Sequence, residues 1–248
     1  MSGAHYPLHP GKHTLPAVPD PGEHAAYVRG KDPDATLSGV HGVLLVHQAR
    51  VLAHAADRHA ARWLGNWTRG DLYLIEKDGG AVALCGGFGP GAPAAALVVE
   101  QLIVLGADRV ITVGTAAALH EDLPPGTLVV CDKALRDEGT SHHYLPHARY
   151  AHPGPPLTRA VEGVLRARGL RPRRGPTWTT DALYRETRAE VTAYVHEGVL
   201  TADMEAAAVF SVAQFRSIEA AAVFTVADSL AARQPRQDTH PVHSVLQD

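Results

Sequence analysis

The stretch Leu102–Leu119, LIVLGADRVITVGTAAAL, carries the clearest structural signal in the chain. Its apolar first part ends at Gly106, the residue type that often terminates a helix in the left-handed conformation. Val110–Val113 is a short β-branched run, typical of a strand covered on both faces. Gly114–Ala118 is then expected to form a small-residue loop at the carboxyl end of that strand. Ligands bind at such ends in open α/β sheets, although an ordinary packed junction would have the same pattern.

Helix and strand patterns alternate along the rest of the chain. Strands are expected at 42–46, 71–77, 81–85, 126–131, 173–177, 200–203 and 220–226. Helices are expected at 48–63, 93–105, 157–168, 188–197 and 204–216, with one short helical turn within 22–34. This alternation predicts a single α/β domain with three layers, in which helices cover both faces of a mostly parallel sheet. We expect the domain to span 22–232, between a flexible N-terminal segment 1–21 and a C-terminal tail 233–248.

Composition excludes several classes of function. The net charge of -3 and the pI near 6.6 give no reason to expect nucleic acid or an anionic membrane as partner. Cys85 and Cys131 lie in apolar runs, so we expect buried, reduced thiols in a cytoplasmic protein. No apolar stretch is long enough to span a bilayer. The histidines are scattered without metal-ligand spacing, so no metal site is expected.

Polar residues follow several of the apolar strands. Thr115, Asp181, Glu205 and Asp228 should collect at one edge of a parallel sheet, because the carboxyl ends of its strands meet there. The glycine-rich loop 86–91, GGFGPG, precedes a helix, and its backbone N–H groups would suit an oxyanion or a phosphate. Simple turn formation and helix capping are the alternatives for this loop and for the carboxylates.

Five separated segments carry a resemblance to a known family. They are GGFGPGAPAAALVVEQLIVLGADRVITVGTAAAL, LPPGTLVVCDKALRDEGTSHHYLP, TTDALYRET, DMEAAAVFSVA and VFTVADSL. From about Val43 to Leu230 the chain resembles the nucleoside phosphorylases of the purine nucleoside/uridine phosphorylase superfamily. The resemblance implies a partly barrel-like sheet and cleavage of an N-glycosidic bond, with phosphate as co-substrate and no cofactor. Related nucleosidases use water instead.

The resemblance implies a role for individual residues. Glu205 matches the family glutamate that holds the ribose 2′- and 3′-hydroxyls, and Met204 matches the residue that packs under the sugar. Asp228 matches the aspartate that protonates or hydrogen-bonds a purine leaving group. Thr115 matches a ligand of phosphate and sugar, and Arg50 matches a phosphate-binding arginine. Further candidates are Gly89 for phosphate and Ala116, Asp203 and Thr180 for substrate. Arg69, for phosphate, and His24, for substrate, would reach into a partner's site. Glu138 and His143 are also substrate candidates, although a solvated loop is the more frequent explanation for such residues.

The sequence departs from the family pattern around the expected phosphate site. The family motif GDPxR after the first strand is VHQAR here, residues 46–50, and the family arginine before the Gly-Thr pair is Thr112. Loss of this guanidinium removes a charge-assisted phosphate contact. The glycine pair usual after Thr115 is Ala116-Ala117. The residues that bind uracil in uridine phosphorylases fall near Thr187 and Ala189, so uracil recognition is not supported.

Three functions therefore remain open. The first is a nucleoside phosphorylase that uses phosphate and for which a purine nucleoside is favoured over a pyrimidine nucleoside as substrate. The second is a nucleoside hydrolase on the same scaffold, because position 112 is threonine. The third is a non-catalytic nucleoside-binding protein. In each case we expect a homodimer or a homohexamer built as a trimer of dimers.

Overall fold

A computed structural model describes residues 8–77 and 79–233. Its strands are Val40–Val46 (β1), Arg62–Trp63 (β2), Asp71–Lys77 (β3), Gly80–Gly86 (β4), Arg109–Ala118 (β5), Leu128–Asp137 (β6), Tyr150–Ala151 (β7), Arg173–Thr180 (β8), Thr201–Asp203 (β9) and Glu219–Ser229 (β10). Its helices are Pro21–Lys31 (α1), Ala49–Arg58 (α2), Ala92–Val104 (α3), Ser141–Tyr144 (α4), Pro155–Ala167 (α5), Arg188–His196 (α6) and Ala206–Arg216 (α7), with 3-10 turns at Lys12–Thr14 and Leu183–Arg185.

The strands form one sheet in the order β10-β6-β8-β9-β5-β1-β4-β3-β2, and β7 pairs with β6 outside this order. Strand β5 also pairs with β10, so β5, β9, β8, β6 and β10 close into a five-stranded barrel. The central pairs β4–β1, β1–β5 and β5–β10 are parallel, whereas β3–β4, β5–β9 and β6–β10 are antiparallel. The predicted α/β class with its partly barrel-like sheet is confirmed.

Apolar burial on both faces of the sheet explains the layers. The largest core joins β5 and β10 to α1, α3 and α7 through small and branched residues such as Val99, Val110 and Val209. A second core packs α2 on β1 and β4. Alanine-rich α3 and α7 approach the sheet and each other closely, and the ion pair between Glu100 and Arg216 joins the two helices at 2.8 Å.

The helix before β5 ends as the sequence predicts. Gly106 has φ +114, and its N–H donates to the carbonyl of Ile103, while the N–H of Ala107 donates to the carbonyl of Leu102. These two bonds form a Schellman motif, which satisfies carbonyls that the helix leaves free. A side chain at Gly106 would also meet Ser38, since an added Cβ would lie 2.4 Å from its Oγ.

Several predicted element bounds are wrong. The expected loop Gly114–Ala118 belongs to β5, β6 extends into the expected polar loop to Asp137, and Asp228 lies within β10 and not just past its end. Barrel closure explains all three, because β8, β9 and β10 supply backbone partners that a polar or small-residue sequence does not reveal. The helix expected to reach Trp63 ends at Arg58, and the expected single turn at 22–34 is the full helix α1.

The terminal segments are only partly described. The predicted boundaries 1–21, 22–232 and 233–248 remain predictions, since residues 1–7 and 234–248 lie outside the described residues. Helix α1 begins at Pro21, where the side chain of Asp20 accepts a hydrogen bond from the N–H of Gly22. Cys85 and Cys131 are free and buried, as expected. No helix in the described part of the chain is long and apolar enough to cross a membrane.

Candidate active site

A cavity of about 540 Å³ opens at the carboxyl ends of the parallel strands. This volume suits a small-molecule ligand. The walls come from the ends of β1, β4, β5, β9 and β10 and from the turn before α6. The lining residues are His47, Gln48, Gly87, Gly89, Pro90, Gly114, Thr115, Ala116, Ala117, Leu183, Glu186, Ala202, Asp203, Met204, Glu205, Phe224, Ala227 and Asp228.

Glu205 is fixed in the wall of this cavity at the start of α7. One carboxylate oxygen accepts a 2.6 Å hydrogen bond from the N–H of Gly91, the glycine that ends the glycine-rich loop with φ +96. The same oxygen lies 3.9 Å from Nδ1 of His47. Burial raises the pKa of Glu205, while the bond from Gly91 acts against this rise. The glycine-rich loop therefore orients a carboxylate, in addition to lining the site.

Asp203 fixes the backbone on which Glu205 stands. One of its carboxylate oxygens accepts hydrogen bonds from the N–H groups of Glu205 and Ala206, and the other accepts from the hydroxyls of Thr177 and Thr179. Asp203 thus caps α7, as the capping alternative predicted for this carboxylate pair. Burial and the neighbouring Glu205 raise the pKa of Asp203.

Asp228 enters the cavity from β10 at a break in strand pairing. The register between β10 and β5 shifts between Val226 and Asp228, which then pairs with Ala117. Such an irregularity re-aims the side chains that follow it. The Asp228 side chain is 46% exposed and forms an ion pair with Arg233. Glu186 lines the same cavity, and burial raises its pKa to about 7.

Neutral donors and acceptors line the end of β1. Nε2 of His47 and the hydroxyl of Thr112 are 2.7 Å apart, and Nε2 of Gln48 donates to the hydroxyl of Thr115 at 3.0 Å. Burial lowers the pKa of His47 to about 4, so the imidazole is neutral at physiological pH. Nδ1 of His47 and Oε1 of Gln48 are buried and have no hydrogen-bond partner among the described residues. A ligand in the cavity could supply those partners.

The structure brings together about half of the candidate residues. Those that line the cavity are Thr115, Ala116, Asp203, Met204, Glu205, Asp228 and Gly89. Those that do not are Arg50, Arg69, His24, Thr180, Glu138 and His143.

Each of the outlying residues has another environment in the described chain. Arg50 and Arg69 are exposed, and His24 bonds to the carbonyl of Trp67. Thr180 accepts a bond from the N–H of Ala182. The roles of His24 and Arg69 in a partner's site stay predictions.

Glu138 lies between β6 and α4, and His143 lies in α4. Glu138 is buried and accepts hydrogen bonds from the N–H of Ser141, so it fixes the start of α4. His143 is exposed on that short helix. Neither side chain borders the cavity, so any role in substrate binding would require a rearrangement or a neighbouring subunit.

Sequence reasoning missed three polar residues of the cavity: His47, Gln48 and Glu186. The first two lie in the segment VHQAR, which was interpreted only as a departure from the family motif. Glu186 lies between the 3-10 turn and α6, where Thr187 and Glu190 form a capping box. The TTDALYRET segment was the available signal for Glu186, but its turn geometry could not be derived from spacing.

No lysine or arginine is among the lining residues, and within 8–77 and 79–233 no group of three or more His, Cys, Asp or Glu side chains could hold a metal ion. The arrangement instead combines the held carboxylate of Glu205, three further carboxyl groups and neutral hydrogen-bonding groups.

Comparison with known proteins gives the family. Residues 47–247 match the family model described as the phosphorylase superfamily, and the chain belongs to that superfamily. The fold agrees with a crystal structure of uridine phosphorylase from Vibrio fischeri ES114 complexed with 6-hydroxy-1-naphthoic acid. The TM-score is 0.74 at 23% identity, over 83% of this chain and 86% of the other.

Curated relatives are phosphorylases of differing base preference. The chain is 32% identical to a guanosine phosphorylase of Halorubrum lacusprofundi over 57% of its own length and 58% of the relative's. It is 33% identical to a uridine phosphorylase of Treponema pallidum over 52% of its own length and 55% of the relative's. The chain thus matches little more than half the length of these relatives, and the comparisons leave its base preference open.

Proposed function

We propose that the chain is a nucleoside phosphorylase that uses inorganic phosphate to cleave the N-glycosidic bond of a purine nucleoside, releasing free base and pentose 1-phosphate. The observation that carries the proposal is Glu205, which the N–H of Gly91 and the cap made by Asp203 hold in the same cavity as Asp228. The superfamily membership and the phosphorylase relatives support the reaction class.

Glu205 is proposed to hold the pentose. Its buried carboxylate would accept hydrogen bonds from the 2′- and 3′-hydroxyls, with Met204 against the sugar ring. As the glycosidic bond breaks, the sugar acquires oxocarbenium character, as in other glycosyl transfers. A nearby carboxylate stabilises this positive charge because the interaction is strong in a partly dehydrated site. The hydrogen bond from the N–H of Gly91 holds the carboxylate in position, so the carboxylate need not reorganise during the reaction.

Asp228 is proposed to stabilise the departing base. A purine leaves more readily when N7 carries a proton, and a carboxyl group beside N7 can donate that proton or accept a hydrogen bond from N7–H. Arg233 forms an ion pair with Asp228. Substrate binding would therefore have to open this pair for Asp228 to act as the donor.

Phosphate is proposed to lie between the glycine-rich loop and the end of β1. Gly89, Thr115, His47 and Gln48 border this part of the cavity. Rotation of the Gln48 amide by 180° would let its oxygen accept from Thr115 and turn its NH₂ group toward phosphate. Anion binding here would depend on neutral donors, unless a partner supplies a cation. Arg69 is our candidate for that role.

The test is base release with and without phosphate, measured by chromatography on guanosine, inosine, adenosine and uridine, with the sugar product identified by ³¹P NMR. We expect phosphate-dependent purine release and pentose 1-phosphate. Release that is equal without phosphate would show a hydrolase, and binding without release would show a non-catalytic protein. Either result refutes the proposal. Glu205→Ala, prepared identically, controls for a contaminating phosphorylase.

Assembly and location complete the proposal. A homodimer or a trimer of dimers would bring Arg69 and His24 of one subunit to its neighbour's cavity. A cytoplasmic location is consistent with two cysteines that are buried and unpaired.

A further inference from the structure

His47 and Glu205 face each other in the cavity at a distance too long for a direct hydrogen bond. Nδ1 of His47 lies 3.9 Å from Oε1 of Glu205, whereas such hydrogen bonds are about 2.7–3.2 Å long. Nδ1 is buried and has no hydrogen-bond partner within residues 8–77 and 79–233. Both side chains line the cavity, so a ligand atom can enter between them. A single oxygen about 2.8 Å from each of the two atoms fits this spacing.

The imidazole of His47 is held in one orientation. Nε2 lies 2.7 Å from the hydroxyl of Thr112, and the ring packs on Phe88 of the glycine-rich loop in a T-shaped arrangement with 5.3 Å between centroids. Burial lowers the pKa of His47 to about 4, so the ring carries one proton. That proton is assigned to Nδ1, because a lone pair on Nδ1 would face the carboxylate of Glu205, and Nε2 then accepts from Thr112. His47 therefore offers one N–H to a ligand.

Glu205 offers an acceptor to the same ligand atom. Its Oε1 accepts the 2.6 Å hydrogen bond from the N–H of Gly91, and it is also the oxygen that faces His47. A carboxylate oxygen has two lone pairs, so Oε1 can accept a second hydrogen bond. The pentose hydroxyls of the proposed function can take the other carboxylate oxygen. A ligand oxygen between His47 and Glu205 must then accept from Nδ1–H and donate to Oε1, and a hydroxyl group does both.

Tetrahedral oxyanions differ in whether they carry such a hydroxyl. Phosphate and arsenate keep a proton at neutral pH, so they present a P–OH or As–OH group beside bare oxygens. Sulfate has the same shape but no proton, and its oxygens would meet Oε1 of Glu205 with lone pairs only. Sulfate would also bring two negative charges into a cavity lined by four carboxyl groups and by no lysine or arginine. Phosphate can enter as the monoanion, and in a partly dehydrated site this difference in repulsion is large.

We propose that His47 and Glu205 together select a protonated oxyanion, so that the site binds phosphate or arsenate and rejects sulfate. The inference rests on the proposed function, in which phosphate lies between the glycine-rich loop and the end of β1, directly before His47. Nδ1–H of His47 donates to the ligand hydroxyl, and that hydroxyl donates to Oε1 of Glu205. Recognition thus depends on a proton of the ligand instead of a fixed positive charge of the protein, and His47 is a specificity-determining residue for the anion.

The test measures binding of phosphate, arsenate and sulfate by calorimetry near neutral pH, at an ionic strength held constant with chloride. We expect the wild type to bind phosphate and arsenate about 10- to 100-fold more tightly than sulfate, the range for one charge-assisted hydrogen bond. In Glu205→Gln the amide oxygen can keep the bond from Gly91 while the NH₂ group faces the anion, so the phosphate-to-sulfate ratio should fall by a similar factor. Glu76→Gln makes the same chemical change on exposed β3, where Glu76 pairs with Arg62, and should leave the ratio unchanged.

His47→Phe tests the donor and identifies the source of the hydroxyl. The variant keeps a planar ring against Phe88 but removes Nδ1–H. We expect phosphate to bind about 10- to 100-fold more weakly, with nucleoside binding in the absence of phosphate unchanged. Weaker nucleoside binding at unchanged phosphate affinity would assign the hydroxyl to the pentose and overturn the inference. His41→Phe is the control, because His41 lies on the same strand at its exposed end and contacts the carbonyl of Gly79.

Anion binding separates this inference from the proposed function, because calorimetry needs no turnover. A wild type that prefers phosphate to sulfate but releases no base refutes only the phosphorylase proposal. A wild type that cleaves nucleosides with phosphate and binds sulfate as tightly as phosphate refutes only the inference about His47 and Glu205. An unchanged phosphate-to-sulfate ratio in Glu205→Gln refutes that inference as well.

Discussion

Replacement of Glu205 by alanine tests the proposed hold on the pentose. The carboxylate would form two charge-assisted hydrogen bonds with the ribose hydroxyls, each worth roughly 1.5–3 kcal/mol. Their loss, about 3–6 kcal/mol in the transition state, corresponds to roughly 10²- to 10⁴-fold in kcat/KM. The cost in folding stability should be small, because the variant loses the hydrogen bond from Gly91, worth about 1 kcal/mol, but also removes a carboxylate whose ionised form burial disfavours.

The assay is phosphorolysis of the best purine nucleoside, with the melting temperature measured on the same samples. We expect a melting temperature within about 4 °C of the wild type. A second comparison uses the 2′-deoxy and 2′,3′-dideoxy forms of that nucleoside. The variant should lose little on the dideoxy form, because the hydroxyls that Glu205 binds are already missing. Near-normal turnover of the ribonucleoside by the variant, or an equal loss on all three sugars, would refute the reasoning.

Three further predictions follow from the same cavity. Asp228→Asn should slow a purine nucleoside by about 10²- to 10⁴-fold at an unchanged melting temperature, and a less stable variant with preserved purine cleavage would remove Asp228 from the mechanism. Burial lowers the pKa of His47 to about 4, whereas the imidazole in the unfolded chain titrates near 6.5. The free energy of unfolding should therefore decrease by on the order of 3 kcal/mol as the pH is lowered from 6.5 to 4. His47→Gln should flatten this pH dependence in melting curves, and an unaltered pH dependence would count against this role of His47. Light scattering should find a dimer or hexamer, whereas a fully active monomer would exclude roles for Arg69 and His24 across an interface.

The sequence predicts the fold well where hydrophobic periodicity is strong. β1, β3, β4 and α3 lie close to their expected positions, since each buries a regular apolar pattern. It fails where the barrel closes. β5 continues through small residues to Ala118, and β10 continues to Ser229, because each finds backbone partners far away in sequence. Such strand pairing depends on tertiary contacts, which cannot be predicted from the local secondary-structure propensity of the residues.

For the candidate site, family motifs located the residues on strand ends but not those on irregular backbone. Thr115 and Asp203 lie near the ends of β5 and β9, Glu205 directly precedes α7, and all three line the cavity. The position of Glu186 in the cavity depends on a 3-10 turn followed by a helix cap. The direction that the chain takes through these two features cannot be obtained from sequence spacing. Arg50, which matches the family by residue type, is exposed on α2 and does not border the cavity, so its phosphate-binding role stays a prediction.

The departures from the family motif meet at one place in the fold. His47, in the altered VHQAR segment, lies 2.7 Å from Thr112, which replaces the expected arginine, and the adjacent Gln48 bonds to Thr115. Residues 65 and 67 positions apart in sequence thus meet in two neighbouring hydrogen-bonded pairs of neutral groups. If a site were losing its function, its contacts would be lost independently of one another, which would leave gaps or buried charges without partners. Buried charges without partners are costly. In the proposed function phosphate is bound here by neutral donors, and we expect its affinity to depend less on salt than in a site with a fixed guanidinium.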